Sequence, residues 1–139
     1  MMRFVLATIA AFAAMFSLAG IFTGVLAREF IVQNVDAGLL RSPPNMALIV
    51  AGYLLLALLM TTTYRAITQA TNAPLRRGAL FGLAAAVCWL VPYSLVLFGA
   101  YAFPYAALPL DFSWTLVEQG AGGLLIGAIM GRSPGRSAR

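Results

Sequence analysis

Four apolar stretches, each long enough as a helix to cross the hydrocarbon core of a bilayer, constrain this chain more than any other feature. They run approximately over 4–26 (FVLATIAAFAAMFSLAGIFTGVL), 46–64 (MALIVAGYLLLALLMTTTY), 78–101 (GALFGLAAAVCWLVPYSLVLFGAY) and 112–131 (FSWTLVEQGAGGLLIGAIMG). Each reaches the roughly 20 residues that such a crossing needs. The segments between them, AREFIVQNVDAGLLRSPPN, RAITQATNAPLRR and FPYAALPLD, collect the helix breakers and charges. No internal repeat is evident and no connection is long enough for a soluble domain. Residues 1–139 therefore read as one transmembrane domain. The expected fold is all-α, an antiparallel four-helix transmembrane bundle.

Composition agrees with a lipid solvent. Of the 139 residues 62% are hydrophobic and 9% charged, against roughly 45–50% and about 25% in soluble domains. A soluble core of this size could not hide so much apolar side chain. The net charge of +5 would suggest nucleic acid in a soluble protein. Here every basic residue is an arginine and most flank the apolar stretches, so the expected partner is the bilayer and not nucleic acid. The single cysteine, Cys88, lies inside an apolar run of a chain without histidine. It cannot close an internal disulfide or join a Cys/His metal cluster, and it reads as a small buried hydrophobe. Zinc sites, His-ligated haem and His-based acid–base catalysis have no basis in these residues, so no cofactor is expected.

The arginines also set a direction. With four crossings, both termini and the second connection share one side, which holds Arg3, Arg65, Arg76, Arg77, Arg132, Arg136 and Arg139. The other side holds Arg28 and Arg41 beside Glu29, Asp36 and Asp111. By the positive-inside rule the chain is expected N-in and C-in, as a multi-pass protein of a bacterial inner membrane. Ser17-Leu18-Ala19 looks like a signal-peptidase site before Gly20, but the apolar run continues through Leu26. The first span is therefore expected to be an uncleaved helix.

The outer connections carry apolar residues of their own. Phe30, Ile31, Val35, Leu39 and Leu40 alternate with Gln33, Asn34 and Asp36, the pattern of a short interfacial helix, ended by Ser42-Pro43-Pro44. Phe103, Pro104, Tyr105, Pro109 and Trp114 suggest an aromatic belt at headgroup level. Within the spans, small residues mark where helices can approach closely. Gly123, Gly127 and Gly131 recur at four-residue spacing in span 4, with Gly20-x-x-x-Gly24 in span 1 and Gly78-x-x-x-Gly82 in span 3. Pro92, well inside span 3, removes a backbone donor and is expected to kink that helix.

Glu118 is the single acid inside an expected span. An ionisable group in hydrocarbon is expensive and calls for a named partner. Counted from Phe112, it lies about six residues, roughly 9 Å, below the outer end of span 4. Matching that depth in the other spans gathers an intramembrane polar cluster of Glu118, Gln119, Tyr53, Tyr93 and Ser94, with Arg28 above it. Gly123 lies about 140° around the helix from Glu118, so span 4 is expected to be contacted on two sides. Glu118 has three competing roles: a structural hydrogen-bond or ion-pair anchor, a protonatable coupling group, or a catalytic acid or base. No nucleophile, second carboxylate or metal set accompanies it at similar depth, which favours the anchor.

The residues FVLATIAAF…LAGIFTGVL in span 1 and EQGAGGLLIGAIMG in span 4 resemble small, uncharacterised bacterial four-helix membrane proteins. That resemblance implies the four-helix class and no activity. In size and span count the chain also resembles small multidrug exporters. Their essential glutamate lies in the first helix, whereas span 1 here has no acid. The leading expectation is a non-enzymatic accessory, stabilising or assembly subunit. Its glycine faces Gly20, Gly24, Gly123, Gly127 and Gly131 would pack against a second copy or a larger membrane complex. The alternative is a small oligomeric transporter or channel with Glu118 as the proton- or cation-coupling residue.

Overall fold

The computed structural model of the chain describes residues 1–41, 43–68 and 73–131, and its elements are helical. Helix α1 (Met2–Ile21) runs on through a π-helical turn, Phe22–Leu26, into the short α2 (Arg28–Asn34). Helix α3 spans Met46–Ile67, and α4 (Pro74–Ala85) continues through a second π turn, Ala86–Leu90, into α5 (Val91–Ala100). Helix α6 covers Leu108–Met130. Three of these rods are long and apolar enough to cross a membrane: Met2–Leu26, Met46–Ile67 and Pro74–Ala100, with mean hydropathies of 2.2, 2.0 and 2.1. The fourth expected span, α6, is long but is not among these three. Asp111, Glu118, Gln119 and four glycines dilute its apolar residues.

Local chemistry explains the boundaries. The side chain of Asn45 accepts the backbone N–H of Leu48 at 3.2 Å and caps the start of α3. Pro74 and Pro109 sit in the first turns of α4 and α6, where a missing N–H costs no hydrogen bond. The expected kink at Pro92 takes the form of a π turn. Val91 N–H donates to the carbonyl of Ala86, five residues back, just before the proline ring would meet the carbonyl four residues behind it. In the first π turn Ala27 N–H reaches Phe22 O at 2.7 Å. The Thr23 hydroxyl donates to Ala19 O at 2.9 Å, a back-bond that bends helices.

The expected interfacial segment forms α2 and a single 3-10 turn, Ala37–Leu39, with Val35 extended between them. Ser42, which was to end it, lies outside the described residues, as do Arg132, Arg136 and Arg139.

The packing buries many small and polar side chains around a core of Met15, Met60, Tyr64 and Ile126, and leaves many large apolar ones outside. Buried positions include Ala7, Ala11, Ala57, Ala86, Thr8, Thr61, Glu118 and Gln119, whereas Leu55, Leu59, Leu80, Trp89 and Val96 are exposed. Such a surface suits hydrocarbon, where helix contacts form by close approach and not by expulsion of water. Cys88, expected to be buried, is exposed on this outer face; it lies within the π turn that precedes Pro92.

Helix α6 is the hub. Its most extensive contact is with α4, followed by α1, and α3 leans chiefly on α1. The α4 contact is nearly backbone on backbone. A Cβ placed on Gly82 would overlap the carbonyl of Gln119, and one on Gly123 would stand 2.7 Å from Gly82 Cα. Gly78 faces Gly123 and Gly127 in the same way, and Gly127 and Gly131 lie against Pro74. Rising numbers on α4 meet falling numbers on α6, so these two helices run antiparallel. On another side of α6, Gly122 receives Met15 of α1, whose Sδ would be 2.7 Å from an added Cβ. Gly20 and Gly24 are placed differently: nothing lies within 4 Å of where their Cβ atoms would stand.

At one end of the molecule the start of α1 meets the end of α3, with the Arg65 guanidinium 5.9 Å from the centre of the Phe4 ring.

Candidate functional site

The buried face of α6 carries the unusual chemistry. Six of its residues are buried: Glu118, Gln119, Gly122, Gly123, Ile126 and Gly127. Because Pro109 starts the helix at Leu108, Glu118 is the eleventh of its 23 residues. It therefore lies about 15 Å along the axis at 1.5 Å per residue, near the middle of the helix and deeper than a count from Phe112 suggests. The same early start puts Asp111 in the first turn, where the exposed N–H groups favour a carboxylate.

Glu118 retains 7% of its surface exposure and Gln119 1%. The Tyr53 hydroxyl donates to Glu118 Oε2 at 3.3 Å, linking α3 to α6. The Gln119 amide donates from Nε2 to Glu118 Oε1, also at 3.3 Å. Both bonds are long for their type, so each is a weak contact by geometry. Each carboxyl oxygen nevertheless has a donor, which matters where water cannot compensate a bare polar atom. Neither partner is a cation.

Tyr53 itself is held by α1, its ring meeting that of Phe16 edge-on at 5.9 Å, and Phe16 stacks on Phe12 at 5.5 Å. The phenol is thus aimed at α6 by packing before any hydrogen bond is considered.

Of the six residues expected in the polar cluster, the structure joins Glu118, Gln119 and Tyr53. Tyr93 lies elsewhere, more than half exposed along an apolar groove with Gly52, Leu55 and Trp89. Ser94 is half-buried on α5. Arg28 opens α2 and lines a shallow groove with Val25, Glu29, Val32 and Gln33. Matching residues by depth alone could not separate these groups, because depth says nothing about which way a helix is rotated.

Other buried polar groups escaped sequence reasoning. Asp111 Oδ2 and Trp114 Nε1 are buried without a hydrogen-bond partner, two turns and one turn above Glu118 respectively, as are Tyr64 Oη and Gln119 Oε1 deeper in the fold. Trp114, expected in an interfacial belt, stacks flat on Phe22 with ring centres 4.6 Å apart. Tyr64 is 2% exposed and meets Phe81 edge-on at 5.3 Å. The available signal was spacing: Asp111, Trp114 and Glu118 recur at three and four residues, one stripe of a helix. Buried Thr8 and Thr61 satisfy their hydroxyls on carbonyls of their own helices, Phe4 O at 3.0 Å and Ala57 O at 2.8 Å.

Comparison with protein-family models, with curated proteins and with solved structures returned no match to this chain.

Proposed function

We propose that the chain is a four-helix integral membrane protein whose role is non-enzymatic, as an accessory or assembly subunit packing against a second copy or a larger membrane complex. In this reading α6 is the fourth crossing. Its polar and glycine positions are covered by α1, α3 and α4, so low hydropathy is no obstacle to its lying in lipid. The antiparallel arrangement has both termini on the arginine-rich cytoplasmic side of a bacterial inner membrane. The Glu118–Tyr53–Gln119 group is a structural clasp.

One observation carries the proposal. The glycines of α4 and α6 are used up in contacts within the chain, whereas Gly20 at the end of α1 and Gly24 in the π turn that continues it are uncovered. A four-residue glycine pair on a lipid-facing helix permits close approach of another helix. Copurification from membranes followed by mass spectrometry, comparing the native chain with Gly24→Leu, tests it. A stable partner or second copy that is lost in the variant is the expected result. Identical recovery in both, or no partner in either, refutes the role of that face. A reporter fused after Arg139 should be active only as a cytoplasmic fusion.

A second reading is supported by Asp111, whose buried Oδ2 lies seven residues before Glu118 on the same stripe of α6. Two acids in line suit a small proton- or cation-coupled transporter. Flux into proteoliposomes that disappears in Glu118→Gln would favour it over the assembly role.

A further inference from the structure

We propose that the crevice between α3 and the α4–α5 rod is a binding site for a single-chain, uncharged amphiphile that bears a hydrogen-bond donor, such as a long-chain alcohol or amide. The crevice opens toward lipid because α3 leans on α1 and makes few contacts with α4. It has a volume of about 470 Å³ and is lined by Leu56, Met60, Phe81, Cys88, Trp89 and Gln119 among others. A neighbouring hollow of about 550 Å³ shares Leu56, Cys88 and Trp89 and extends the channel toward Gly52 and Tyr93. Its apolar walls suit an alkyl chain.

Two independent features distinguish this crevice from an ordinary gap between membrane helices. The first is the π turn Ala86–Leu90, which supplies Cys88, Trp89 and Leu90 to the wall. Such turns widen a helix locally and are frequent at functional sites. The second is Gln119. Its Nε2 is engaged by Glu118, while Oε1 is a buried acceptor with no donor. Acyl chains of ordinary lipid cannot supply one, whereas a hydroxyl or amide N–H carried in on an alkyl chain can. Oε1 is itself covered, so a donor reaching it from the crevice must displace some of the lining side chains. Met60, unbranched and flexible, is one of them. The need for a donor and an otherwise apolar body selects against phospholipids, whose charged headgroups stay at the interface.

This inference is independent of the assembly role, since the crevice lies between α3, the α4–α5 rod and Gln119 of α6, and the open glycines of that proposal lie on α1 and the π turn that follows it. Its test uses Trp89 as the reporter. With Trp114→Phe in the background, the chain is reconstituted in liposomes and titrated with a chain-brominated fatty alcohol or with the brominated alkane of equal length. The alcohol should quench Trp89 saturably, at a concentration about fivefold to tenfold lower than the alkane, the ratio expected for one hydrogen bond. Gln119→Leu should remove that preference while leaving quenching by the alkane in place, with its circular dichroism and detergent unfolding midpoint close to those of the native chain. Non-saturating quenching, or a preference that survives in Gln119→Leu, overturns the proposal. So does efficient disulfide linkage of two chains through Cys88, which would mean that a second copy occupies the crevice.

Discussion

The Tyr53 hydroxyl stands 3.3 Å from Glu118 Oε2 and forms a hydrogen bond that ties α3 to α6. The two residues are 65 positions apart in sequence. The bond matters because α3 otherwise leans on α1 and meets α6 only sparingly. Ring packing on Phe16 aims the phenol, and the hydrogen bond adds a tie to α6 where other contacts are few.

The strength of that tie can be measured. Interhelical hydrogen bonds in membranes average about 0.6 kcal/mol and reach about 1.7 kcal/mol. Tyr53→Phe should lower stability in a detergent unfolding titration by an amount in that range. In a Glu118→Leu background the same change should have no effect, since the acceptor is gone. Equal costs in both backgrounds would show that Tyr53 acts through its ring on Phe16 and not through its hydroxyl.

The α4–α6 contact leads to a contrast between glycines. Gly82→Ala places a methyl group against the Gln119 carbonyl, a backbone atom that cannot rotate away. It should destabilise by at least about 1–3 kcal/mol, the usual cost of overpacking. Gly52 has nothing within 4 Å of its Cβ position, so Gly52→Ala should be neutral or stabilising by up to about 1 kcal/mol through helix propensity. Chemical denaturation of the two variants in parallel decides it, and similar values for both would contradict the packing described.

Met15 and Gly122 form a knob and a hole. An added methyl at Gly122 meets the thioether of Met15, with Sδ at 2.7 Å and Cγ at 3.0 Å. Unlike a carbonyl, that side chain can move. Gly122→Ala should therefore cost less than Gly82→Ala. Met15→Ala should cost about 2–5 kcal/mol from the cavity it leaves. The double variant should be more stable than the sum of the two predicts, because the new methyl group partly fills the cavity. Strict additivity in the unfolding free energies would argue against direct contact.

The stack of Trp114 on Phe22 anchors the other end of the α1–α6 pair. Phe22→Ala should lose about 0.5–1.5 kcal/mol beyond the area it buries. With Trp89→Phe removing the other tryptophan, emission from Trp114 should shift on loss of the stack. An unchanged spectrum would place Trp114 in the lipid interface, where sequence reasoning expected it.

Much of the helical arrangement was legible in one dimension. The apolar runs locate the rods approximately, because length acts locally, whereas Asn45, Pro74 and Pro109, which set where α3, α4 and α6 begin, read as parts of the connections. The start of α6 was misplaced by one turn, since Pro109 looked like part of a loop and is the first-turn proline of a helix. Cys88 was misassigned because the alternation between lipid-facing and protein-facing sides is weak when both environments are apolar.

By itself the sequence determined that this chain is built from long apolar helices, and that Glu118 needs a donor in its surroundings. The tertiary structure decided which donor. Helix rotation about its axis is set by side-chain interlock, here glycine against glycine on α4 and α6 and Met15 into Gly122. Only with those rotations fixed does Tyr53 face Glu118, while Tyr93, at a similar expected depth, turns outward. Hydrophobicity specifies that a helix enters lipid. In a solvent as apolar as the side chains themselves, close packing and a few hydrogen bonds must specify which face it turns to its neighbours.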